Sequence, residues 1–437
     1  MNKDQLSDVI LQQQEIFREI PGDVIEREID PEKYMRGKEI VIVTGIRRSG
    51  KSTLLKLIAE RYRENGENVL FINFEDIRLS DITTKNYSDI EDIAIEFFSP
   101  EKKAVFFFDE IQYAPSWERW LNNLHFKGHK VFVTGSNARI LGSEIATALT
   151  GRNVVLDLYP FTFKEYLKLK KVDIPPEKML TSKKSAEIFH YFKVYLEMGG
   201  FPEVLKEDNI ELSAYYFNDI LKRDIENRHN IKDSTGLSRL ATYLATNSSS
   251  IFTYSTLKQI TGIKSNNTIS QYIEYFRNSY LFYTLPAFYY SLKKQVQASS
   301  KIYSGDNSFL KTVSFSFSDN TGQKLKNLVF LYLLQSKKGY TLFYHLHEKS
   351  GKECDFLIMM ATCIHSAIQV SADLRDNKTK TREVNGLLDA LNTYKLKRGF
   401  ILTMNTSGME EISGKEIVIL PVWKYMLYPD LYQECTR

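Results

Sequence analysis

Residues 41–53 read VIVTGIRRSGKST and set Gly45, Gly50, Lys51 and Ser52 at the spacing of a loop that cradles phosphates. Each residue type has a task in that chemistry. Glycines adopt turns closed to other residues and let backbone N–H groups approach phosphate oxygens, here at the positive end of a helix expected to begin near Lys51. Lys51 is expected to reach the β and γ phosphates of ATP, and the Ser52 hydroxyl to ligate Mg2+. The nucleotide contacts expected of this stretch are Gly45, Arg48, Ser49, Gly50, Lys51, Ser52 and Thr53. The acidic half of such a site is AVFFFDE, where five apolar residues precede Asp109 and Glu110. A strand buried on both faces delivers those carboxylates at its C-terminal edge, where ligands of open α/β sheets bind. Asp109 is then the second residue holding Mg2+, and Glu110 the base that orients and activates the attacking water. The pairing implies hydrolysis and not binding alone.

Two further positions extend the set. In KVFVTGSN a third buried strand ends in polar residues, and Ser136 or Asn137 is placed to hydrogen-bond the γ-phosphate or the attacking water. In ALTGRNVV, Arg152 stands in a loop before a strand, from which a guanidinium can reach the transferring phosphate of a neighbouring subunit.

These residues need a scaffold, and the pattern around them supplies one. From about residue 38 to 158, the apolar runs IVIVTG, NVLFINFED, AVFFFDE, KVFVTGSN and NVVLDL alternate with helical stretches, the signature of βαβ units around a mostly parallel sheet. Ahead of it, Leu6, Val9, Ile10, Ile16 and Phe17 recur at helical spacing, which predicts a packing helix over 4–19. Residues 159–235 read as a helical lid or linker broken at GGFPEV. Residues 236–315 suit a helix-turn-helix with a β wing, and 320–437 return to mixed helices and strands.

Composition narrows the remaining classes. With 437 residues the chain exceeds the roughly 250–300 residues at which one core stops growing, so several domains are expected. A net charge of +4 is small for this length, so any nucleic-acid contact must come from a local basic face. Cys354, Cys363 and Cys435 lack metal-ligand spacing, which fits a reducing cytoplasm, and no apolar run is long enough for a membrane span.

Taken in order, GIRRSGKST, FINFEDIRL, FFFDEIQ, VTGSN, LTGR, LYPFTFKEYL and GGFPEV resemble the prokaryotic AAA-type P-loop ATPases that carry a C-terminal winged helix and a restriction-endonuclease-like domain. The resemblance covers nearly the whole chain. It implies an α/β fold: an AAA-type P-loop NTPase sheet within 1–158, a helical lid within 159–235, a winged helix within 236–315 and an endonuclease-like domain within 320–437. It also implies that Arg152 is an arginine finger and that Gly200 and Pro202 contact the base or form a sensor region. In the winged helix, Ser265, Asn267, Thr268 and Gln271 would open the second helix beside Lys258, Lys264, Lys293 and Lys294, so double-stranded DNA is a candidate partner. An unidentified protein partner and homo-oligomerisation also stay open.

Active endonuclease-like members need a helix acid, a strand aspartate and a Gln or Glu two residues before a lysine. Asp355 and Gln369 match, with Glu353 on the same strand face, but Lys326 stands where the acid belongs and Ser371 where the lysine belongs. Cleavage is therefore not expected. The resulting expectation is a cytoplasmic Mg2+-dependent ATPase that switches or remodels a partner. The alternatives are an ATP-gated nuclease or DNA-handling defence protein, and a nucleotide-binding scaffold with little turnover.

Overall fold

The computed structural model describes residues 1–19, 22–98, 104–135, 151–314, 320–336 and 339–433. These form two compact units, one comprising Met1–Pro160 with Asn278–Tyr280, the other Phe161–Arg277 with Leu281–Arg437.

Unit 1 is built on five parallel strands, β1 (Ile40–Thr44), β2 (Asn68–Asn73), β3 (Ala104–Asp109), β4 (Lys130–Gly135) and β5 (Asn153–Asp157), ordered β2-β3-β4-β1-β5. Strands β1 and β3 are buried along their whole length, which is why they read as unbroken apolar runs. Alternate residues feed two cores. Ile42, Leu70, Phe106 and Val133 face helices α1 (Lys3–Arg18), α3 (Asn86–Phe97) and α4 (Trp117–Phe126). Val43, Phe71, Phe107 and Phe132 face helix α2 (Lys51–Glu64), which contributes Leu54, Leu55 and Ile58.

Helix α1 does more than the packing expected of it. Leu6, Val9, Ile10 and Phe17 are buried, but Ile16 points outward and is 64 % exposed, contrary to its assignment to the packing face. Its place on the inner face goes to two glutamines. Gln14 accepts from Phe71 N at 3.0 Å and donates to Phe71 O, while Gln13 accepts from Asn73 N at 2.9 Å and donates to Asn73 O at 3.2 Å. The outer backbone groups of Phe71 and Asn73 on edge strand β2 are satisfied by side chains as a further strand would satisfy them.

Unit 2 contains the expected lid from Phe161 onward together with most of the two C-terminal regions. The reason is a shared core. Helices α5 (Ser182–Met198) and α6 (Pro202–Glu207) carry Phe201 and Leu196 into contact with residues beyond 300: the Phe201 and Phe309 rings lie 5.3 Å apart, and Asn307 donates to Leu196 O at 3.0 Å. Three helices follow, α7 (Ser234–Thr246), α8 (Tyr254–Thr261) and α9 (Asn266–Asn278). They pack with a three-stranded antiparallel sheet of β6 (Ile251–Phe252), β7 (Phe282–Pro286) and β8 (Ser300–Ser304).

The last region places helix α10 (Thr321–Gln335) before an antiparallel meander of β9 (Tyr340–Leu346), β10 (Glu353–Met360) and β11 (Cys363–Ser371). Helix α11 (Asn377–Thr393) then crosses to β12 (Arg398–Thr403), which runs parallel to β11, and β13 (Gly408–Ile412) and β14 (Lys415–Pro421) complete the sheet. Tyr303 of β8 stacks on Phe330 of α10 with centroids 4.1 Å apart, joining this region to the preceding one. Among the described residues no helix is long and apolar enough to cross a membrane.

Candidate active site

The sheet order explains how the phosphate loop meets its acidic partner. Strand β4 lies between β1 and β3, so the loop after β1, the end of β4 and the end of β3 open on one edge of unit 1. The loop is held in glycine conformations. Gly45 has φ 144° and Gly50 φ 96°, and a side chain on Gly45 would collide with the Leu158 carbonyl. Arg48, exposed, also adopts positive φ. Lys51 opens α2 and is buried, its ammonium donating to Gly45 O at 3.0 Å and Ile46 O at 3.1 Å. The buried Ser49 hydroxyl has no protein partner. Thr53 is half-buried on the first turn of α2.

Ser52 Oγ donates to Asp109 Oδ2 at 2.7 Å, so the two residues expected to share Mg2+ stand together. The other Asp109 oxygen accepts from Thr134 Oγ1, and the Thr134 hydroxyl in turn accepts from Glu110 N at 2.9 Å. Burial, and then the adjacent Glu110, push the Asp109 carboxyl up, while the hydroxyls of Thr134 and Ser52 and the Lys51 ammonium oppose that rise. Glu110 follows with φ 50°, a strained conformation for a glutamate, and its carboxylate accepts from Gln112 Nε2.

Thr134 is the residue of KVFVTGSN that meets the site, where Ser136 and Asn137 were expected. Those two, like Cys435, lie outside the described residues. A second residue not expected from the sequence is Arg27, which donates to Ser49 O at 3.0 Å and Tyr159 O at 2.6 Å and so buttresses the loop from outside the motif.

Arg152 lies beside the first residue of β1, where Ile40 N bonds its carbonyl at 2.8 Å. This is the opposite edge from the phosphate loop, so Arg152 does not join the site of its own chain. Its guanidinium donates to Asn122 Oδ1 at 2.6 Å and lies 4.5 Å over the Phe126 ring, an exposed ring.

Gly200 and Pro202 lie in unit 2. Gly200 N donates to Asp306 Oδ2 at 2.8 Å, Gly200 O accepts from Phe161 N at 2.7 Å, and Pro202 is the first residue of α6. Asp306 also accepts from Ser308 N at 2.9 Å and Ser308 Oγ at 2.6 Å. Burial raises its carboxyl to about 6 against those hydrogen bonds. The backbone of the GGFP turn is thus occupied in holding unit 2 together, and the structure gives it this architectural work.

Unit 2 contains a second polar constellation, around a cavity of about 630 Å3 lined by Lys301, Lys326, Lys352, Glu353, Gln369 and Arg382, among others. Asp355 Oδ1 accepts from both Lys301 and Lys326 at 2.8 Å, and Oδ2 accepts from Val370 N at 3.0 Å. Glu353 also reaches Lys301, at 2.5 Å, so the two carboxylates do share a side of β10. Gln369 accepts from Asp355 N at 2.9 Å and donates to Glu383. Burial would raise the Asp355 carboxyl, but Lys301 and Lys326 overcome it and hold the group well below the usual carboxylate range. Lys301 comes from β8 and was not among the residues singled out from the sequence. Ser371 donates to Asp373 O at 3.1 Å.

Lys258 on α8, Lys264 and Ser265 between α8 and α9, and Asn267 and Gln271 on α9 are exposed, Thr268 on α9 is half-buried, and Lys293 and Lys294 between β7 and β8 are exposed. Lys294 pairs with Glu348 at 3.2 Å.

Residues 37–167 match a family model described as an AAA domain, and residues 190–320 match a domain of unknown function (DUF8612). An uncharacterized protein of Methanocaldococcus jannaschii, MJ1544, is 34 % identical over 438 residues, spanning 96 % of this chain and 94 % of that protein. An uncharacterized protein of Haemophilus influenzae is 30 % identical over 396 residues, spanning 88 % and 94 %. Among solved structures, the Aeropyrum pernix ORC1 protein in complex with DNA aligns at 11 % identity and a TM-score of 0.30, over 67 % of this chain and 93 % of that one.

Proposed function

The chain belongs to the same family as MJ1544 of Methanocaldococcus jannaschii and carries an AAA-type P-loop ATPase core, and from that premise we propose that it binds ATP with Mg2+ and hydrolyses it to switch a partner. One observation carries the reading: Ser52, Asp109, Thr134 and Glu110 form a continuous hydrogen-bonded chain at the foot of a loop whose lysine is buried. Ser52 and Asp109 are hard oxygen donors of the kind Mg2+ takes, and the unpartnered Ser49 hydroxyl lies in the same loop. When bound, Mg2+ would offset the charge that builds on the phosphates. Lys51 would exchange its loop carbonyls for phosphate oxygens. Thr134 orients Asp109 and fixes the backbone of Glu110, which would take the proton of the attacking water. Gly45, Arg48, Gly50 and Thr53 complete the cradle, and Asn137 remains the candidate for the γ-phosphate.

Paired substitutions test the assignment. Lys51→Ala should abolish ATP binding, whereas Glu110→Gln should bind ATP normally and hydrolyse it about 100-fold more slowly or less. Hydrolysis at the parent rate by Glu110→Gln would remove Glu110 from its role. Arg152, far from its own loop, is proposed to act on the site of a second copy. Mixed Lys51→Ala and Arg152→Ala proteins should then recover ATPase activity that neither has alone, and mixed oligomers without recovery would count against it.

For unit 2 the proposed role is recognition without cleavage. The winged-helix reading is supported by three helices followed by a β hairpin, with a polar exposed start to α9 facing solvent. The endonuclease-like reading is supported by the helix, antiparallel meander and crossover to a parallel strand. Two ammonium groups on Asp355 stand where a metal-binding carboxylate would need to be open, which favours a retired catalytic centre.

A further inference from the structure

The chain leaves unit 2 at Arg277, gives Asn278–Tyr280 to unit 1, and returns to unit 2 at Leu281. These three residues begin at the last residue of α9. Tyr280 is buried and its backbone has φ 60°, a region that an aromatic residue occupies only when its surroundings hold it there. The holding contacts belong to its hydroxyl. It donates to Asp157 Oδ1 at 3.1 Å, which leaves the phenol oxygen to accept from Thr44 Oγ1 at 2.9 Å. Burial, then the Asp157 carboxylate, push the phenol above its ordinary range, so it keeps its proton.

Thr44 and Asp157 face each other on the last rung between β1 and β5. The next residue after Thr44 is Gly45, the first of the phosphate loop, and the next after Asp157 is Leu158, whose carbonyl bounds the space at Gly45. Leu158 N also donates to Thr44 O at 2.6 Å. One phenol therefore closes the rung from which the loop departs, and two peptide bonds separate that phenol from α9.

We propose that Tyr280 is a positioning residue that couples the phosphate loop to the C-terminal end of helix α9, so that ATP binding alters α9 and a ligand held by α9 alters ATP affinity. The inference rests on the reading of the loop as an ATP site. Its physical basis is the present occupation of the loop. Lys51 donates to Gly45 O and Ile46 O, and phosphates that draw the ammonium away release those two carbonyls directly beside Thr44. A shift of that rung by a few tenths of an ångström breaks or re-aims the bonds that hold a strained residue, and Tyr280 passes the change to the residue two positions before it. Reciprocity follows from linkage, since an effect of ATP on α9 must be matched by an equal effect of an α9 ligand on ATP.

The test is amide hydrogen exchange of the full chain with and without a non-hydrolysable ATP analogue and Mg2+, on the parent and on Tyr280→Phe. The phenylalanine keeps the ring in its buried place and loses only the hydroxyl. In the parent, the analogue should slow exchange over residues 45–53 and also change it over 266–281. In Tyr280→Phe, protection of 45–53 should persist while the response at 266–281 is lost, and kcat should fall about five-fold with KM changed less than about two-fold. Thr44→Val should produce the same loss from the other side of the rung, and Thr44→Ser should restore it. An unchanged response at 266–281 in both variants, or none in the parent beside a protected loop, overturns the coupling. Absence of protection at 45–53 in the parent overturns the ATP-site reading itself, and the coupling with it.

Discussion

Asp109 in unit 1 and Asp355 in unit 2 are both aspartates buried in a strand of a sheet, and they differ in what surrounds the carboxylate. Asp109 is met by two hydroxyls, from Ser52 and Thr134, with an acidic neighbour in Glu110. Hydroxyls donate hydrogen bonds but bring no positive charge, and with Lys51 they do not offset the cost of burial and of Glu110 on this carboxylate. Asp355 is met by two ammonium groups, and Lys301 is itself drawn above its ordinary range, burial opposing and Asp355 prevailing. Its demand is already met from within the chain. The same residue type thus stands at the proposed Mg2+ site in one unit and in a closed ion cluster in the other, and the partners set the difference.

Neutralising each aspartate should break the comparison most visibly. Asp355→Asn takes the shared carboxylate from the buried Lys301, which keeps Glu353, and from the partly buried Lys326, and should destabilise unit 2 by about 3 kcal/mol in denaturant unfolding. Adding Lys301→Met should recover part of that loss. Asp109→Asn removes a carboxylate that burial and Glu110 penalise more than the hydroxyls and Lys51 favour it, so the unliganded protein should unfold at the parent denaturant concentration or higher. Its Mg2+-dependent ATP hydrolysis should fall about 100-fold or more. If Asp109→Asn destabilises the fold as severely as Asp355→Asn, the contrast between the two sites is wrong.

Asp306 offers an intermediate case, met by two backbone amides and a hydroxyl but no cation. Its folded pKa of about 6 lies above the ordinary 3.8, so the folded chain keeps a proton that the unfolded chain has released. The stability this contributes is complete below the unfolded value and is lost as pH rises through about 6. Roughly two units at about 1.4 kcal/mol each give about 3 kcal/mol across that window. Urea midpoints measured from pH 4 to 7 should show this decline in the parent, and Asp306→Asn should flatten it.

The smallest expected effect sharpens the unit 1 side alone. Thr134→Val preserves volume and removes the hydroxyl that links Asp109 to Glu110 N, so hydrolysis should drop about 10-fold with stability nearly unchanged. A loss as large as that of Glu110→Gln would make Thr134 a direct participant and not an orienting one.

Which of these residues could be read from the sequence follows from how their positions are determined. Gly45, Gly50, Lys51 and Ser52 are fixed relative to one another by a single turn, so spacing alone reveals them. Asp109 and Glu110 end a strand whose burial is written in five consecutive apolar residues. The parallel sheet and both cores of unit 1 were legible for the same reason. Thr134 was hidden by commonness, since a threonine ending a buried strand carries no distinguishing sign. Lys301 and Asp355 are separated by 54 residues and Tyr280 and Thr44 by 236, and no local pattern encodes such meetings. The contacts of 159–235 were hidden for a related reason: Phe201 and its neighbours find aromatic partners beyond residue 300. Ile16 failed because two glutamines, polar by any scale, outcompeted it for the inner face of α1.

Those glutamines also constrain how copies of this chain can associate. A parallel sheet with an open rim invites a second molecule to lengthen it, rung upon rung, into a ribbon with no natural end. Gln13 and Gln14 fill the outward-facing hydrogen-bond positions at Phe71 and Asn73, so that route is closed on the β2 side by two amide groups that mimic a strand without extending it. Helix α1 thereby caps this edge of the sheet at Phe71 and Asn73.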